Sequence, residues 1–294
     1  MIRWAESVSR LASFLLVVFA SCATAAGKAA VSEWIPFDPA HGLIKFAVTV
    51  DGAPAEAMLD SGAELSAIDP RFAEKHGLVG SVGGSTGVAG AFGTQELRLA
   101  KDVVVAFVGS RGAEGAVPVR NAVVPEHALP IDLLLGIQFF RGLVVQIDYP
   151  NSRFRLMTRS ASKIGEQANT SVRLSQSRLL VRVEINGTSG WLFFDTGNAS
   201  LTYVTRRAAE STGWLEGARR AGSVRGQGVT QGAELVTYVV PSLKIGPYEL
   251  AHVPIAVGES EPSSIETGLI GSEILRHFVV TLDVERQLMH LYSP

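Results

Sequence analysis

A chain of 294 residues exceeds the usual domain size of roughly 100 to 200 residues, which favours two domains over one small module. Hydrophobic residues at 47% and charged residues at 18% exclude a disordered chain. With 26 Lys plus Arg against 28 Asp plus Glu and no basic run, no nucleic-acid partner is expected, and the single cysteine, Cys22, excludes an intrachain disulfide framework and Cys-rich zinc or iron-sulfur sites.

Arg3 and Arg10 precede the apolar stretch Leu11 to Ala20, and small residues follow from Ser21 to Ala26, the order of a secretory signal peptide over residues 1–25. That stretch is too short to span a bilayer, which needs about 20 apolar residues. Two cleavage readings compete: an Ala-x-Ala site at Ala23-Thr24-Ala25, and a lipobox-like Phe19-Ala20-Ser21-Cys22 in which Cys22 becomes a lipidated first residue. No second hydrophobic run follows, so a membrane enters only through a lipid at Cys22.

In the first half, residues 31–157, Ile44, Phe46, Val48 and Val50 alternate with small or polar neighbours, the period of a half-buried strand. Gly52-Ala53-Pro54 is expected to turn the chain into Ala57-Met58-Leu59-Asp60. Asp69 as N-cap, Pro70 at the first helical position and Gly77 as terminator frame a short helix. A Gly-rich segment, Gly80 to Gly93, comes next, then strands over Asp102 to Val108, Val119 to Val124 and Leu143 to Ile147. Residues 158–171 are polar, without apolar periodicity, and read as a linker.

The second half, residues 172–294, repeats this order. Leu179, Val181, Val183 and Ile185 alternate, Asn186-Gly187 signals a hairpin turn, and Trp191-Leu192-Phe193-Phe194-Asp195 returns. Thr205 and Gly213 frame a helix, Gly222 to Gly232 is Gly-rich, and strands fit Leu235 to Val240, His252 to Val257 and Phe278 to Leu282.

One constant offset, that from position 60 to position 195, relates Asp60-Ser61-Gly62 to Asp195-Thr196-Gly197, Leu134-Leu135-Gly136 to Leu269-Ile270-Gly271, and Asp148 to Asp283. So long a period means a duplicated domain rather than a solenoid repeat. An isolated Asp-Ser/Thr-Gly is most often an ordinary turn. Here each Asp ends an apolar run, and the glycine of an apolar-apolar-Gly element follows at the same distance in both halves, Gly136 after Asp60 and Gly271 after Asp195.

Paired and in register, Met58-Leu59-Asp60-Ser61-Gly62-Ala63, Asp132-Leu133-Leu134-Leu135-Gly136, Phe193-Phe194-Asp195-Thr196-Gly197 and Thr267-Gly268-Leu269-Ile270-Gly271 resemble the aspartic peptidases, specifically bacterial retropepsin-like domains fused in tandem. The resemblance covers residues 37–157 and 172–293. It implies a mostly β fold of two β-barrel lobes related by a pseudo-twofold axis, a peptide or protein substrate, no cofactor and no metal. It also implies a location in the bacterial periplasm and a monomer in which the lobes pair within one chain. Like lobes pairing between two chains is the alternative.

Two carboxylates held close together cannot both ionise cheaply, so Asp60 and Asp195 would share a proton and offer an acid and a base at once. Gly62 and Gly197, without Cβ atoms, would let the loops meet. As the resemblance implies, the Ser61 and Thr196 hydroxyls would brace them across the axis. The two Gly-rich segments lie where the family carries flaps, with Gly90, Ala91 and Phe92 in one tip and Gly226, Gln227 and Gly228 in the other as substrate contacts. Asn198 stands where the family usually has Ala, Ser or Thr. Its amide is expected to donate to Asp195 and hold that residue as the anion, leaving the proton on Asp60; the alternative is a side chain that turns outward and serves only as a loop residue tolerant of unusual backbone angles. An exported aspartic endopeptidase is the leading reading, and a non-catalytic peptide-binding protein of the same fold is its rival.

Two further signals are set aside. Gly83-Gly84-Ser85-Thr86-Gly87 fits the serine-hydrolase pattern without the strand before it and helix after it that the chemistry requires. The six histidines show no i, i+4 pair and no His-Glu-x-x-His.

Overall fold

The computed structural model describes residues 30–80, 86–90, 93–107, 116–227, 232–258 and 267–294. The signal-peptide segment with Cys22, and Ala91, Phe92 and Gly228 of the flap tips, lie outside the described residues.

The alternation from Ile44 becomes the strand Ile44–Val50, with every second side chain buried. The chain reverses on Asp51 and Gly52, with φ of 48° and 85°, a two-residue turn whose twist matches a hairpin, and returns as Ala53–Leu59. The turn thus lies one residue before the expected Gly52-Ala53-Pro54. Asp tolerates the left-handed region, and Pro54 occupies the second position of the return strand. The second half builds the same hairpin from Arg178–Ile185 and Thr188–Phe194, turning on Asn186 and Gly187 with φ of 50° and 81°.

Both framed helices form. Pro70–Lys75 is capped by the Asp69 carboxylate, which accepts from the backbone N–H of Arg71 and Phe72. Arg206–Thr212 is capped by Thr205 and closed by Gly213 in the left-handed conformation. The stretch Val119 to Val124 does not form one strand but splits into Ala116–Val119 and Val123–Val124, because Asn121 between them has φ of 53°. In the Gly-rich segments the described residues pair as antiparallel strands: Thr86–Gly90 with Gly93–Leu99, and Arg219–Gln227 with Gly232–Ile245.

Among the described residues the strands form three sheets, and the fold is mostly β with two similar domains. A nine-stranded sheet belongs to the first half and an eight-stranded sheet to the second. The third, five-stranded, draws on both, in the order Ile35–Pro36, Arg153–Met157, Val144–Asp148, Val279–Asp283, Leu288–Tyr292. At its centre Val144–Asp148 runs antiparallel to Val279–Asp283, and Gln146 stands opposite Thr281, its own counterpart in the repeat. A residue paired with its repeat equivalent marks the pseudo-twofold axis. Gln146 Nε2 donates to Thr281 Oγ1 there at 2.8 Å.

The lobes therefore join within one chain, and one large apolar cluster runs through both, from Ile44, Leu59 and Leu133 to Val145, Phe194, Val280 and Leu282. At the strand ends the equivalent buried Asp148 and Asp283 each take an arginine. Arg153 Nε reaches Asp148 at 2.8 Å, and Arg159 Nε reaches Asp283 at 2.9 Å. Arg159 comes from the segment read as a linker. That segment is folded, with a 3-10 turn Arg159–Ala161 and a helix Ile164–Gln167 whose Ile164 is buried against Val144 and Met157.

Candidate active site

Each acidic motif is a loop between two strands that a third strand separates. Leu133–Leu135 runs parallel to Ala53–Leu59 and antiparallel to Ala67–Ile68, so it passes between the strands that the Asp60 loop connects. Gly268–Ile270 does the same between Thr188–Phe194 and Thr202–Thr205 around Asp195. The apolar-apolar-Gly elements are thus core and support together: Leu133, Leu135 and Ile270 are fully buried, and the Asp60 N–H donates to Leu135 O at 2.9 Å.

The loops meet across the axis through four reciprocal hydrogen bonds. The Ser61 N–H donates to Thr196 Oγ1 at 2.9 Å, and the Thr196 N–H to Ser61 Oγ at 3.1 Å. In turn Ser61 Oγ–H donates to Phe194 O at 2.8 Å and Thr196 Oγ1–H to Leu59 O at 3.0 Å. Each hydroxyl gives and accepts once, so both side chains are satisfied although nearly fully buried.

That brace brings the carboxyls together. A Cβ on Gly62 would lie 2.4 Å from Asp195 Oδ1, and one on Gly197 would lie 2.6 Å from Asp60 Oδ1, so only glycine permits the approach. A side-chain hydrogen bond links Asp60 to Asp195. Asp60 Oδ1 accepts from the N–H groups of Gly62 at 3.0 Å and Ala63 at 3.1 Å, and Asp195 Oδ1 accepts from the Gly197 N–H at 2.8 Å.

Burial lifts both carboxyls above the ordinary carboxylate range. Asp195 is pushed up to about 8, first by burial and then by the charge of Asp60. For Asp60 the two backbone N–H bonds and the bond from Asp195 work against burial. Within the coupled pair these bonds favour the anion on Asp60 and the proton on Asp195, opposite to the expected order. The reason is the course of the Asn198 side chain. Its Nδ2 donates to Leu201 O at 3.3 Å, and its Oδ1 accepts from Ser200 N and Ser200 Oγ, each at 3.3 Å. Asn198 ties its own loop together and donates nothing to Asp195 through its side chain.

Asp60, Ser61, Gly62, Thr196, Gly197 and Asp195 are thus gathered at one point. Gly90, Gly226 and Gln227 lie at the tip ends of the two hairpin strands. Two residues escape a reading of the sequence. Ser66 Oγ accepts from the Gly136 N–H and Thr202 Oγ1 from the Gly271 N–H, both at 3.1 Å, pinning each supporting strand to its loop. Their equivalence is hidden because the second loop is one residue longer, so Ser66 and Thr202 fall one position out of the repeat offset. An alignment admitting that insertion would have paired them.

A family model described as Aspartyl protease matches residues 46–139 and 181–274, segments related by the same offset and together more than half of the chain. No curated relative matches the chain. Among solved structures, basic 7S globulin from soybean aligns over 90% of this chain and 95% of its own, at 11% identity and a TM-score of 0.47. A retropepsin-like aspartic protease from Rickettsia conorii aligns over 42% of this chain and 92% of its own, at 16% identity and a TM-score of 0.31.

Proposed function

The chain belongs to the aspartyl protease family, and on that premise we propose that it is an exported aspartic-type endopeptidase whose Asp60 and Asp195 activate a water for peptide-bond hydrolysis. One observation carries the reading: two carboxyls, one from each half, in hydrogen-bond contact and braced from both sides. In this reading the Asp60 carboxylate takes a proton from the water, whose oxygen attacks the scissile carbonyl carbon. Asp195 gives its proton to the carbonyl oxygen as charge develops there. When the C–N bond breaks, the proton held by Asp60 passes to the leaving amine, and Asp195 regains its own as the carbonyl re-forms. The new carboxyl and amine account for the water consumed, and no covalent intermediate is involved.

The hairpins around Gly90 and around Gly226 and Gln227 would act as flaps over the bound peptide. The working unit is a single chain, since each half already finds its partner in the other. Export to the periplasm follows from the leader at residues 1–25, and membrane attachment, if the leader is cut before Cys22, from a lipid on that cysteine. Among the described residues no helix is long and apolar enough to cross a membrane.

The test is incubation with a diverse peptide library, read by mass spectrometry for both binding and new termini. Internal cleavage supports the reading. Peptides retained but uncut would favour a binding protein of the same fold. The mass of the mature N-terminus distinguishes cleavage after Ala25 from lipidation at Cys22.

A further inference from the structure

The first hairpin of each half carries charge on its non-core face, and the two halves carry it with opposite sign. In Ile44–Val50 and Ala53–Leu59 every second side chain points away from the core, so Lys45, Ala47, Glu56 and Met58 stand on the face that leads to Asp60. In the second half Leu180, Arg182, Trp191 and Phe193 stand on the corresponding face that leads to Asp195. The registers agree: Lys45 lies opposite Met58 and Ala47 opposite Glu56, as Leu180 lies opposite Phe193 and Arg182 opposite Trp191. Beyond them, Asp38 pairs with Lys45 and Arg173 with Leu180.

The first-half face opens into a pocket of about 580 Å³ bordered by Asp38, Lys45, Glu56 and Asp132. At the repeat offset the second half has Arg173 for Asp38, Arg178 for Leu43, Arg182 for Ala47, Trp191 for Glu56 and Thr267 for Asp132. Three guanidiniums on the second face thus stand against three carboxylates and one ammonium on the first. Two of the guanidiniums are seated on rings, Arg173 over Trp191 at 4.4 Å and Arg178 over Phe193 at 5.3 Å from the ring centroid. Arg182 Nη2 donates to Ser189 Oγ at 3.2 Å, and Glu184, the carboxylate on the same strand face, is taken by Lys244 Nζ at 3.0 Å. Stacking holds a guanidinium flat and leaves its in-plane N–H donors for a carboxylate that approaches edge-on.

We propose that Arg173, Arg178 and Arg182 select the substrate: the arm of the peptide that runs over the second-half hairpin carries an acidic side chain, and the first-half hairpin, acidic itself, turns the same side chain away. The inference rests on the reading of Asp60 and Asp195 as the point of cleavage. The pseudo-twofold axis passes between these carboxyls, so the two hairpins lie on opposite sides of the scissile bond and each arm of the peptide meets one of them. Trp191 comes four residues before Asp195, about 13 Å along the strand, which an extended peptide covers in about four residues. A nearly symmetric site accepts a peptide in either direction. Attraction of an acidic side chain at one arm and its repulsion at the other fix a single direction.

The test takes a peptide that the full chain cuts and replaces, one at a time, each of the four positions on either side of the cut bond by Asp or by Lys. In wild type kcat/KM is expected to favour Asp over Lys on one arm only, by roughly three- to tenfold, the size of one or two partly exposed ion pairs. In the double variant Arg173→Glu, Arg182→Glu that ratio should fall below one, with a thermal melt to show that the variant is folded. Arg173→Gln with Arg182→Gln, which removes charge without adding any, should bring the ratio towards one. The same ratio on both arms, or the wild-type ratio kept in the folded variants, overturns the inference. If no peptide is cut, the same Asp and Lys series built on a library peptide is compared by fluorescence anisotropy of binding. Cleavage without a charge preference therefore refutes the charge reading alone, and absence of the preference from both readouts refutes it equally.

Discussion

Thr196→Val removes one oxygen and leaves the shape of the side chain almost unchanged. That oxygen accepts from the Ser61 N–H at 2.9 Å and donates to Leu59 O at 3.0 Å, at a residue only 2% exposed. No water can reach the site to replace it. A buried donor left bare costs about 1–3 kcal/mol, and loss of the second bond adds about 0.5–1.5 kcal/mol. The added methyl regains under about 1 kcal/mol by apolar burial. The expected loss is roughly 2–3 kcal/mol, a large share of a typical total of about 5–15 kcal/mol. Urea unfolding at equilibrium measures it, with Thr196→Ser as the control that keeps the oxygen. Ser61→Ala should cost a similar amount, because Ser61 Oγ makes the mirror-image pair of bonds. The double variant should lose less than the sum, since one broken half of the brace already loosens the other. A Thr196→Val protein within about 0.5 kcal/mol of wild type, the scatter of an ordinary surface substitution, would refute the brace as a source of stability.

Three further outcomes are expected. In the folded chain Asp195 holds its proton up to about 8, against an unfolded value of 3.8. The contribution of Asp195 to wild-type stability is therefore full below about pH 4 and is lost, by up to ~1.4 kcal/mol per pH unit, as pH rises towards 8, so Asp195→Asn should remove that part of the slope in urea melts taken across the range. Asn198→Ala should leave the pH profile of kcat/KM superimposable on wild type, since the amide bonds Ser200 and Leu201; a shifted acid limb would restore a bond to Asp195. Arg159→Ala should lower stability by about 2–3 kcal/mol, less than the ~3–5 kcal/mol of a fully buried pair because Arg159 is 25% exposed and Arg286 stays near Asp283; a Tm equal to wild type would contradict this.

The repeated order of strand, Asp loop, helix and supporting strand was legible in the sequence because each part is written locally. Alternation spells the strand, Asp69-Pro70 and Thr205 spell the caps, and the fixed offset spells the duplication. Readings that depended on one residue of register were less secure. The first hairpin turns on Asp51-Gly52 because two adjacent residues adopt positive φ, and Asn121 breaks a run that composition alone makes continuous. The Asn198 side chain had two acceptable destinations, its own loop or Asp195. Sequence pattern carries no information on which one a side chain takes. The five-stranded sheet and the Arg159 contact with Asp283 join residues from opposite halves of the chain, and only the closed fold puts them together. The same holds for the order of the two carboxyls, which follows from their burial and from their contact with each other.

The central claim is that neither carboxyl works without the other. It is tested most directly by kcat/KM for one cleaved peptide in wild type, Asp60→Asn and Asp195→Asn, with circular dichroism to confirm that each variant is folded. The account predicts that both folded variants lose cleavage by several orders of magnitude, Asp60→Asn for want of a base and Asp195→Asn for want of an acid. Either folded variant cutting at the wild-type rate would contradict it.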